Sequence, residues 1–389
     1  MSGTKSPVTA SRVVLFANTD WYLFNFRRAL ASALRERGFH PLLISPAGEY
    51  GVRLRELGFD WRPVPMHRRS LNPIRELALL ANLVLLFRRE RPALVHSFTI
   101  KCAVYGSIAA RLAGVPARVN AMTGLGYVFT GNDRRAAVLQ PVVRGLLRLA
   151  LSGRDALLIL QNPDDGAAVA RLRLIEAERV RLIRGSGVDC RRFAARDRER
   201  RPNHPPRVLL ASRLLWEKGL AEYVDAARML KAEGRQVRFL LAGAPDPGNP
   251  ASVPRTEVEK WVSEGLVEWL GHVDDMPALL ASVEVVAHPS YYGEGVPRIL
   301  IEAAACALAL VTTDAPGCRE VVTDGVNGLR VPVRDAKALA AAIRRLADDP
   351  SLRARLGVAA RETALREFDE PIVIERTLAV YRELLPGNF

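Results

Sequence analysis

Two glutamates near one predicted helix start are the side chains of this sequence best placed for chemistry. Glu294 lies in the turn Gly293-Glu294-Gly295, and Glu302 lies about a turn into the helix that follows. The glycines let backbone N–H groups come close to a ligand, and a helix N-terminus favours phosphate. The pair therefore suits a phosphorylated, polyhydroxylated ligand. An ordinary loop with one solvated and one capping glutamate is the alternative that this stretch leaves open.

The segment from His288 to Glu320 supplies the elements that position this pair. An apolar strand, Val283 to Ala287, precedes the turn, and Pro297 pre-sets the φ angle of a first helical turn. A helix is predicted from about Arg298 to Leu308, and another apolar strand follows it. This pattern is typical of a strand–loop–helix unit in an α/β protein.

A basic turn follows another predicted buried strand, Arg207 to Ala211. It runs from Ser212 to Gly219 and contains Arg213 and Lys218. In an open α/β sheet, ligands bind beyond the carboxyl ends of the strands, so we expect both cations at the same edge as Gly293-Glu294-Gly295. Two cations beside a helix start form a diphosphate clamp. A solvated basic turn is less favoured, because Arg213 directly follows a buried strand.

Predicted strands and helices alternate along the chain, beginning with a strand at Arg12 to Ala17 and a helix at Trp21 to Arg37. The alternation restarts after an Arg- and Pro-rich segment, Arg191 to Pro206. This order predicts an α/β protein with two doubly wound Rossmann-like domains and an interdomain cleft. We expect an N-terminal domain over 1–190, a C-terminal domain over 191–370, and a final helix over 371–389 that packs back on the first domain.

The composition is that of a globular protein with a basic surface. Of 389 residues, 49% are apolar and 25% are charged, and the formal net charge is +14. Such a charge indicates an anionic partner: a phosphate-rich ligand, an anionic membrane surface or nucleic acid. Nucleic acid is disfavoured, because aromatic residues make up only 6% and are not interleaved with the basic ones.

Cysteine usage and hydropathy predict a cytoplasmic protein. The four cysteines lack CxxC or Cys/His ligand spacing and fit free thiols. The N-terminus has no apolar signal region, and the longest apolar run, Leu77 to Phe87, is too short to cross a bilayer.

The motifs taken together resemble a known family. SRLLWEKG, the LAG at Leu241 to Gly243, HPSYYGEGVPRILIE and TTDAPGCREVVTDGVNG are similar to motifs of the retaining glycosyltransferases of family 4, which have the GT-B fold. The segments ANTDWYLFNFRR, VHSFTIKCAVYGSIAARL, NAMTGLGYVF and GSGVD resemble a bacterial subgroup that assembles lipopolysaccharide, capsule and other polyprenyl-linked glycans.

The resemblance implies a substrate pair. A sugar would move with retention from a nucleotide-sugar, expected to be a UDP-sugar, to a lipid-linked or cell-surface glycan acceptor. The nucleotide-sugar would be a substrate, and neither a metal nor another cofactor is expected.

The resemblance also assigns roles on the donor side. Arg213 and Lys218 would hold the diphosphate and stabilise its charge as it leaves, while Glu294 would bind hydroxyls of the donor sugar. Glu302 would bind the ribose. The positions expected to approach the sugar, phosphate and base through backbone or turn are Gly293, Gly295, Val296, Gly243 and Val273.

Three departures from the family pattern direct attention to the acceptor. Asn18-Thr19-Asp20 stands where many relatives have Gly-Gly, so Asn18 and Asp20 could face the acceptor instead. Met122 to Gly126 lacks the histidine that relatives place there, so its role passes to Thr123, to backbone such as Gly124, or to nothing. Ala307-Leu308-Ala309 replaces a Gly-x-Pro, for which we expect only a local packing change.

Two further side chains are candidates for the acceptor side. His96 is predicted at a strand end, where it either contacts substrate or is structural. Lys101, just beyond it, could meet an acceptor phosphate.

Two arginine-rich predicted helices, Leu71 to Arg89 and Arg134 to Leu151, favour peripheral contact with an anionic membrane surface. The inner face of the cytoplasmic membrane is the expected location. The alternative for either helix is a core-facing helix with a solvated basic face. The arginines are Arg68, Arg69, Arg75, Arg88, Arg89 and Arg91 near the first helix, and Arg134, Arg135, Arg144, Arg148 and Arg154 near the second.

Other functions remain open at this point. A GT-B sugar-nucleotide epimerase would use the same donor site without an acceptor, and a non-enzymatic basic module for membrane or nucleic acid would explain the charge but not the paired glutamates. A dinucleotide dehydrogenase is disfavoured, because no GxGxxG follows the first strand.

Overall fold

A computed structural model describes residues 11–67, 70, 72–124, 134–195 and 204–387, without the side chains of 134–138. The chain divides into two compact units. Unit 1 comprises the residues up to Ser186 together with those from Val373 onwards, and unit 2 is Gly187–Ile372. Each unit is a parallel sheet with helices on its faces. Arg68, Arg69, Leu125, Gly126 and part of the Arg191–Pro206 segment lie outside the described residues.

Unit 1 contains a seven-stranded parallel sheet with the strand order β3-β2-β1-β4-β5-β6-β7. The strands are β1 Arg12–Phe16, β2 His40–Ser45, β3 Asp60–Pro63, β4 Leu94–Phe98, β5 Ala117–Ala121, β6 Ala156–Leu160 and β7 Val180–Leu182. The helices are α1 Asp20–Phe26, α2 Arg28–Glu36, α3 Glu49–Glu56, α4 Pro73–Glu90, α5 Ile100–Ala113, α6 Arg134–Leu151 and α7 Pro163–Arg171.

One predicted helix of unit 1 is interrupted. The expected helix from Trp21 to Arg37 is wrong as a single element, because Arg27 separates α1 from α2 with φ −127° and ψ −3°. The hydrogen bonds from Arg27 N–H to Leu23 and from Ala31 N–H to Arg27 persist across the break. The chain therefore changes helical phase at Arg27 without losing its backbone pairing.

The last helix, α14, spans Glu370–Leu384. From Val373 onwards it belongs to unit 1, where Val373, Leu378 and Tyr381 join the core that includes strands β1 and β4. Its apolar side chains cover the face of the sheet that α1, α2 and α3 also cover, which accounts for its place in unit 1.

Unit 2 contains a six-stranded parallel sheet with the strand order β10-β9-β8-β11-β12-β13. The strands are β8 Arg207–Ala211, β9 Arg238–Ala242, β10 Glu268–Gly271, β11 Val285–His288, β12 Ala309–Thr313 and β13 Leu329–Val331. The helices are α8 Leu220–Ala232, α9 Arg255–Ser263, α10 Met276–Ala281, α11 Arg298–Ala305, α12 Ala336–Asp348 and α13 Pro350–Thr363, with a 3₁₀ turn at Trp216–Lys218.

Each sheet has one point where the strand order reverses, here called the switch point. It lies between β1 and β4 in unit 1, and between β8 and β11 in unit 2. The connections that leave the two strands run to opposite sides, so a crevice opens outside their carboxyl ends. The loops after these four strands are therefore where ligand-binding side chains are expected.

Candidate functional site

Lys218 and Glu294 meet at the switch point of unit 2. Lys218 ends the 3₁₀ turn that follows β8, and Glu294 lies in the loop that follows β11. The Lys218 Nζ donates to Glu294 Oε2 at 2.5 Å. The strand order thus brings together two side chains that are 76 positions apart in sequence.

His288, the last residue of β11, is the other partner of Glu294. Its Nε2 lies 3.1 Å from Glu294 Oε1, and its backbone carbonyl accepts from Thr312 Oγ1 at 2.7 Å. The imidazole is buried, and its Nδ1 has no hydrogen-bond partner in the part of the chain that the structure describes. Sequence reasoning gave His288 no role, although its position at a strand end beside the acidic turn was a usable signal.

These contacts keep Glu294 ionised. Burial alone would raise the pKa of its carboxyl, but the Lys218 ammonium and the His288 imidazole outweigh burial and hold that pKa well below its usual range. A carboxylate in this state accepts hydrogen bonds and is a poor proton donor. Glu294 is therefore suited to bind hydroxyl groups and unsuited to act as a general acid.

Backbone contacts fasten the Lys218 turn to the Glu294 loop. The carbonyl of Glu217 accepts from Tyr291 N–H at 3.1 Å and from Ser290 Oγ at 3.2 Å. Gly219 has φ +76°, and a Cβ there would lie 2.1 Å from the Pro289 carbonyl oxygen. Only glycine allows this approach, so the SRLLWEKG motif needs its last residue for packing.

Gly317 supports the same loop from the opposite side. It has φ +81°, and a Cβ there would lie 2.2 Å from the Gly295 carbonyl oxygen and 2.6 Å from that of Glu294. At Gly293, by contrast, a Cβ would meet only Pro316 Cγ, at 4.0 Å. Packing therefore explains Gly317, whereas the open space at Gly293 is consistent with a ligand close to the backbone.

Arg213 is placed differently from Lys218. Its guanidinium donates to Asp246 Oδ2 at 2.7 Å, and its side chain is 53% exposed. Asp246 lies in the loop after β9, where its N–H donates to Ser252 Oγ. The structure thus brings Arg213 to the same sheet edge but pairs it with Asp246, a contact that sequence reasoning missed.

Glu217 lies between the two basic side chains. Burial raises the pKa of its carboxyl, while the charges of Lys218 and Arg213 lower it and that of Glu294 raises it. The carboxyl of Glu217 therefore feels the charge of both cations.

Glu302 lies on α11 and pairs with Arg298, one turn earlier, at 2.7 Å from Nε to Oε1. Burial raises the pKa of Glu302 even though Arg298 and Arg192 oppose that effect. The spacing of four residues could have predicted this ion pair from sequence. One oxygen of the carboxylate expected to bind ribose is thus already hydrogen-bonded.

The other predicted donor-side positions have clear packing roles. Gly243 has φ +132°, and a Cβ there would lie 1.8 Å from the Ser212 carbonyl oxygen, so a side chain is impossible. Val296 is in the core, Gly295 is buried and Val273 packs against the same core cluster. These positions have packing roles in unit 2, and their contact with a nucleotide-sugar stays a prediction.

The candidate acceptor residues of unit 1 are mostly engaged within the protein. Asp20 accepts from Gly51 N–H and from Trp21 N–H, both at 2.9 Å, so it ties α1 to the start of α3. Lys101 donates to the carbonyls of His67 and Ser70, at 2.8 and 3.1 Å, and to Glu76 Oε1 at 2.8 Å. All three of its N–H groups are thereby used.

His96 is buried in the core of unit 1. It is 1% exposed and lies 2.5 Å from the Tyr381 hydroxyl, measured from Nδ1. Burial and the charge of Arg27 hold the pKa of His96 well below its usual range, so the ring is neutral. Of the two alternatives that the sequence left open, burial and the contact with Tyr381 favour the structural one. Asn18, Thr123 and Gly124 lie half-buried after β1 and β5.

Within the described ranges, no group of three or more His, Cys, Asp or Glu side chains is placed to hold a metal ion. Among those same residues, none of the helices combines the length and apolar character needed to span a membrane.

The two parallel-sheet units have the architecture of the GT-B fold. Residues 12–162 match the family model described as Glycosyl transferase 4-like, and residues 191–363 match the model described as Glycosyl transferases group 1. The chain belongs to the GT4-type glycosyltransferases, as the sequence motifs indicated.

Similar proteins match this chain over nearly their whole length. An N,N'-diacetylbacillosaminyl-diphospho-undecaprenol alpha-1,3-N-acetylgalactosaminyltransferase from Campylobacter jejuni is 28% identical over 384 residues, which cover 96% of this chain and 99% of the relative. HepE from Anabaena, solved in complex with UDP, matches with a TM-score of 0.77 at 22% identity and covers 96% of this chain and 100% of that one. Sucrose-phosphate synthase from Thermosynechococcus elongatus matches with a TM-score of 0.78 at 22% identity, covering 96% of this chain and 99% of that one.

Proposed function

We propose that this glycosyltransferase moves a sugar, with retention, from a UDP-sugar to a polyprenyl-diphosphate-linked glycan at an anionic membrane surface. The Lys218–Glu294 pair at the switch point of unit 2 is the observation that carries the proposal. The acceptor class is supported by the name of the Campylobacter relative, and the uridine nucleotide by the UDP bound to Anabaena HepE.

Lys218 and Arg213 would bind the two ends of the diphosphate. Each cation is paired with a carboxylate, Lys218 with Glu294 and Arg213 with Asp246. The donor diphosphate would take over part of both interactions and neutralise the two cations. Glu294, kept ionised by Lys218 and His288, would accept hydrogen bonds from the sugar hydroxyls, and Glu302 would accept one from the ribose.

Retention would follow from attack on the face that the diphosphate leaves. The bond from the anomeric carbon to the phosphate oxygen breaks, and its electron pair leaves with the nucleoside diphosphate. The acceptor hydroxyl oxygen forms the new bond on the same face, and its proton passes to the departing phosphate oxygen. Both Glu294 oxygens have partners, so a second displacement with Glu294 as nucleophile is disfavoured.

No metal would be needed in this scheme, because Lys218 and Arg213 supply the positive charge that stabilises the leaving diphosphate. The proposal therefore requires that transfer continues in the presence of EDTA.

An exposed apolar stripe on α4 supports the membrane part of the proposal. Ile74, Leu77 and Leu85 project to solvent on this helix, with exposures of 77%, 65% and 65%. Arg75 lies beside Ile74 at the start of the stripe, and Arg88 and Arg89, both exposed, follow its end. Apolar side chains flanked by arginine suit the interface of an anionic bilayer.

The test uses bacterial membranes, a panel of radiolabelled UDP- and GDP-sugars, and the full chain with EDTA present. Radiolabel from one UDP-sugar should enter the lipid fraction, and NMR of the product should show the anomeric configuration of the donor. An inverted configuration would overturn the mechanism. Conversion of the nucleotide-sugar without any acceptor would instead favour the epimerase.

The membrane contact has its own measurement. Wild type should co-sediment with vesicles containing phosphatidylglycerol, and the double variant Leu77→Ser/Leu85→Ser should do so much less. Equal sedimentation of the two proteins would argue against α4 as the contact surface.

A further inference from the structure

A buried arginine occupies the switch point of unit 1. Arg27, at the break between α1 and α2, is 5% exposed. Its guanidinium carbon lies 4.2 Å from the ring centre of Phe98, the last residue of β4, and its Nη2 donates to the Tyr22 hydroxyl at 2.7 Å. Tyr22 is in the first turn of α1, just after β1. The charge therefore lies between the carboxyl ends of β1 and β4.

This charge lacks a counter-ion. No carboxylate in the described part of the chain forms an ion pair with Arg27, and its Nε is buried without a hydrogen-bond partner. The neighbouring His96 and Tyr381 are both neutral, since burial lowers the pKa of the first and raises that of the second. His96 Nε2 is a second buried atom without a partner.

A second buried arginine of unit 1 shows what a structural role looks like. Arg118 is 1% exposed, and its guanidinium donates to both oxygens of Asp155, at 2.9 and 2.7 Å. It also donates to the carbonyls of Ala150 and Ser152, at 3.0 and 2.6 Å. The fold therefore gives Arg118 a carboxylate counter-ion and partners for four of its five N–H groups. A buried charge without such partners is expensive, so its presence at Arg27 needs an explanation.

The local backbone is also unusual at this point. Thr99, immediately after β4, has φ +76°, a conformation that is strained for a β-branched residue. The helix break at Arg27 lies in the connection that follows β1, the strand that pairs with β4. Strained backbone and an unneutralised cation thus occur together at the position where this sheet topology places ligands.

We propose that Arg27 binds the anionic group of the acceptor, a phosphate or diphosphate. A guanidinium offers a planar set of N–H donors that matches phosphate oxygens, and in this crevice the ligand would supply the missing counter-charge. The proposal rests on the acceptor side of the proposed function. It gives unit 1 an anion site at the topological position where unit 2 has its donor site.

The competing explanation is that the Phe98 and Tyr22 rings stabilise the charge well enough for a purely structural role. The guanidinium carbon lies 5.3 Å from the Tyr22 ring centre and 4.2 Å from that of Phe98, within the range of cation–π attraction. The two explanations differ in their consequences. If Arg27 is structural, its replacement should make the protein less stable without affecting anion binding. If Arg27 binds a ligand, its replacement should weaken anion binding and leave stability unchanged or higher.

The first experiment titrates inorganic pyrophosphate calorimetrically into the full chain in a Lys218→Met background, which weakens binding of the same anion in unit 2. Addition of Arg27→Met should weaken pyrophosphate binding by about tenfold or more, the loss of one charge-assisted hydrogen bond or more. The pyrophosphate affinity of Arg27→Lys should lie between those of the parent and Arg27→Met, since lysine keeps the charge but not the planar set of N–H donors. Arg28→Met is the matched control, because Arg28 is exposed and adjacent, and should change the affinity less than twofold.

Thermal unfolding of the same proteins separates binding from folding. Arg27→Met should have an unchanged or higher Tm, because an unpaired buried charge is removed. A lower Tm with unchanged pyrophosphate affinity would overturn the proposal. So would undetectable pyrophosphate binding by the Lys218→Met protein at millimolar concentration. If Arg27→Met does not fold, the test is the pyrophosphate affinity of Arg27→Lys. An affinity equal to that of the Lys218→Met parent overturns the proposal.

A kinetic experiment identifies the source of the anion. With membrane lipid as acceptor, Arg27→Met in the otherwise native chain should raise the acceptor KM about tenfold and leave the donor KM unchanged. Pyrophosphate should then compete with the acceptor. If it binds through Arg27 without competing, the site takes a free anion and the assignment to the acceptor is wrong. The calorimetric experiment does not depend on sugar transfer, so its result is independent of whether the proposed function is right.

Discussion

The Lys218 ammonium lies 2.5 Å from the Glu294 carboxylate, across the point where the strand order of the unit 2 sheet reverses. Each of these groups is mostly buried, with side-chain exposures of 11% and 22%. The pair joins the loop after β8 to the loop after β11, where the proposed function places the donor diphosphate.

Replacement of either partner should impair transfer. We expect Lys218→Met and Glu294→Gln each to lower kcat/KM by about 100-fold, the usual effect of removing one group that stabilises transition-state charge. Sugar transfer to membrane lipid measures this effect. Lys337→Met, an exposed lysine on α12, is the control and should retain full activity. Near-normal turnover of Lys218→Met would remove Lys218 from the mechanism.

The two glutamates should have opposite effects on stability against pH. The pKa of Glu294 is lowered by folding, so its stabilisation is complete above the unfolded pKa of about 4.3 and is lost as the pH falls through the folded pKa. The pKa of Glu302 is raised, so its stabilisation is complete below about 4.3 and is lost as the pH rises through the folded pKa.

The Tm of wild type minus that of each Gln variant, measured between about pH 3 and pH 8, tests these signs. For Glu294→Gln the difference should shrink towards acid pH. For Glu302→Gln it should shrink towards neutral pH, because ionised Glu302 is costly to bury. Parallel curves for the two variants would contradict the assignment.

Gly317 should control the shape of the donor loop. Gly317→Ala places a Cβ 2.2 Å from the Gly295 carbonyl oxygen, so the loop must shift and UDP affinity should fall about tenfold. Gly325→Ala is the matched control, since Gly325 has φ +69° and nothing within 4 Å of an added Cβ. It should cost about 1 kcal/mol of stability and leave UDP affinity unchanged. Equal UDP affinities of the two variants, by calorimetry, would disprove a role of this contact in the site.

Asp246 should compete with the donor for Arg213. The ion pair is half exposed, so Asp246→Asn should change stability by less than about 1 kcal/mol. UDP should bind more tightly to this variant, because Arg213 no longer has to leave a charged partner, whereas Arg213→Ala should bind UDP more weakly. If Asp246→Asn instead weakens UDP binding as Arg213→Ala does, Asp246 positions Arg213 and does not compete for it.

The meeting of Lys218 and Glu294 could be predicted from sequence, because one rule suffices: loops after parallel strands share a sheet edge. The alternation of strands and helices predicted two doubly wound domains, since such an order allows few topologies. The resemblance of the motifs to a known family then implied the GT-B fold. These predictions depended on elements rather than on side-chain conformations.

The partners of single side chains could not be predicted in this way. Arg213 pairs with Asp246 because the loop after β9 folds back, and Lys101 turns to the carbonyls of His67 and Ser70 rather than to solvent. His96 finds Tyr381 across 285 positions, which no local pattern indicates. Such contacts depend on loop paths and long-range packing.

The helix break at Arg27 was missed for a different reason. The apolar spacing from Trp21 to Arg37 is compatible with one continuous helix, and the cause of the break lies in what surrounds Arg27 in the folded unit. Short edge strands were missed as well: β3 and β13 span only four and three residues. Runs this short carry little sequence signal of their own, and they become strands by pairing with β2 and β12.

The division of the chain gives biosynthesis an unusual order. The sheet of unit 1 leaves the ribosome first, but its core also contains Val373, Leu378 and Tyr381, which are translated last. Unit 2 is one continuous stretch, so it can fold co-translationally as a whole. The unit that is begun first is therefore completed last. Until α14 is made, the face of the sheet that carries His96 lacks the helix that covers it. This apolar face is then exposed and is the part of the chain that most needs a chaperone.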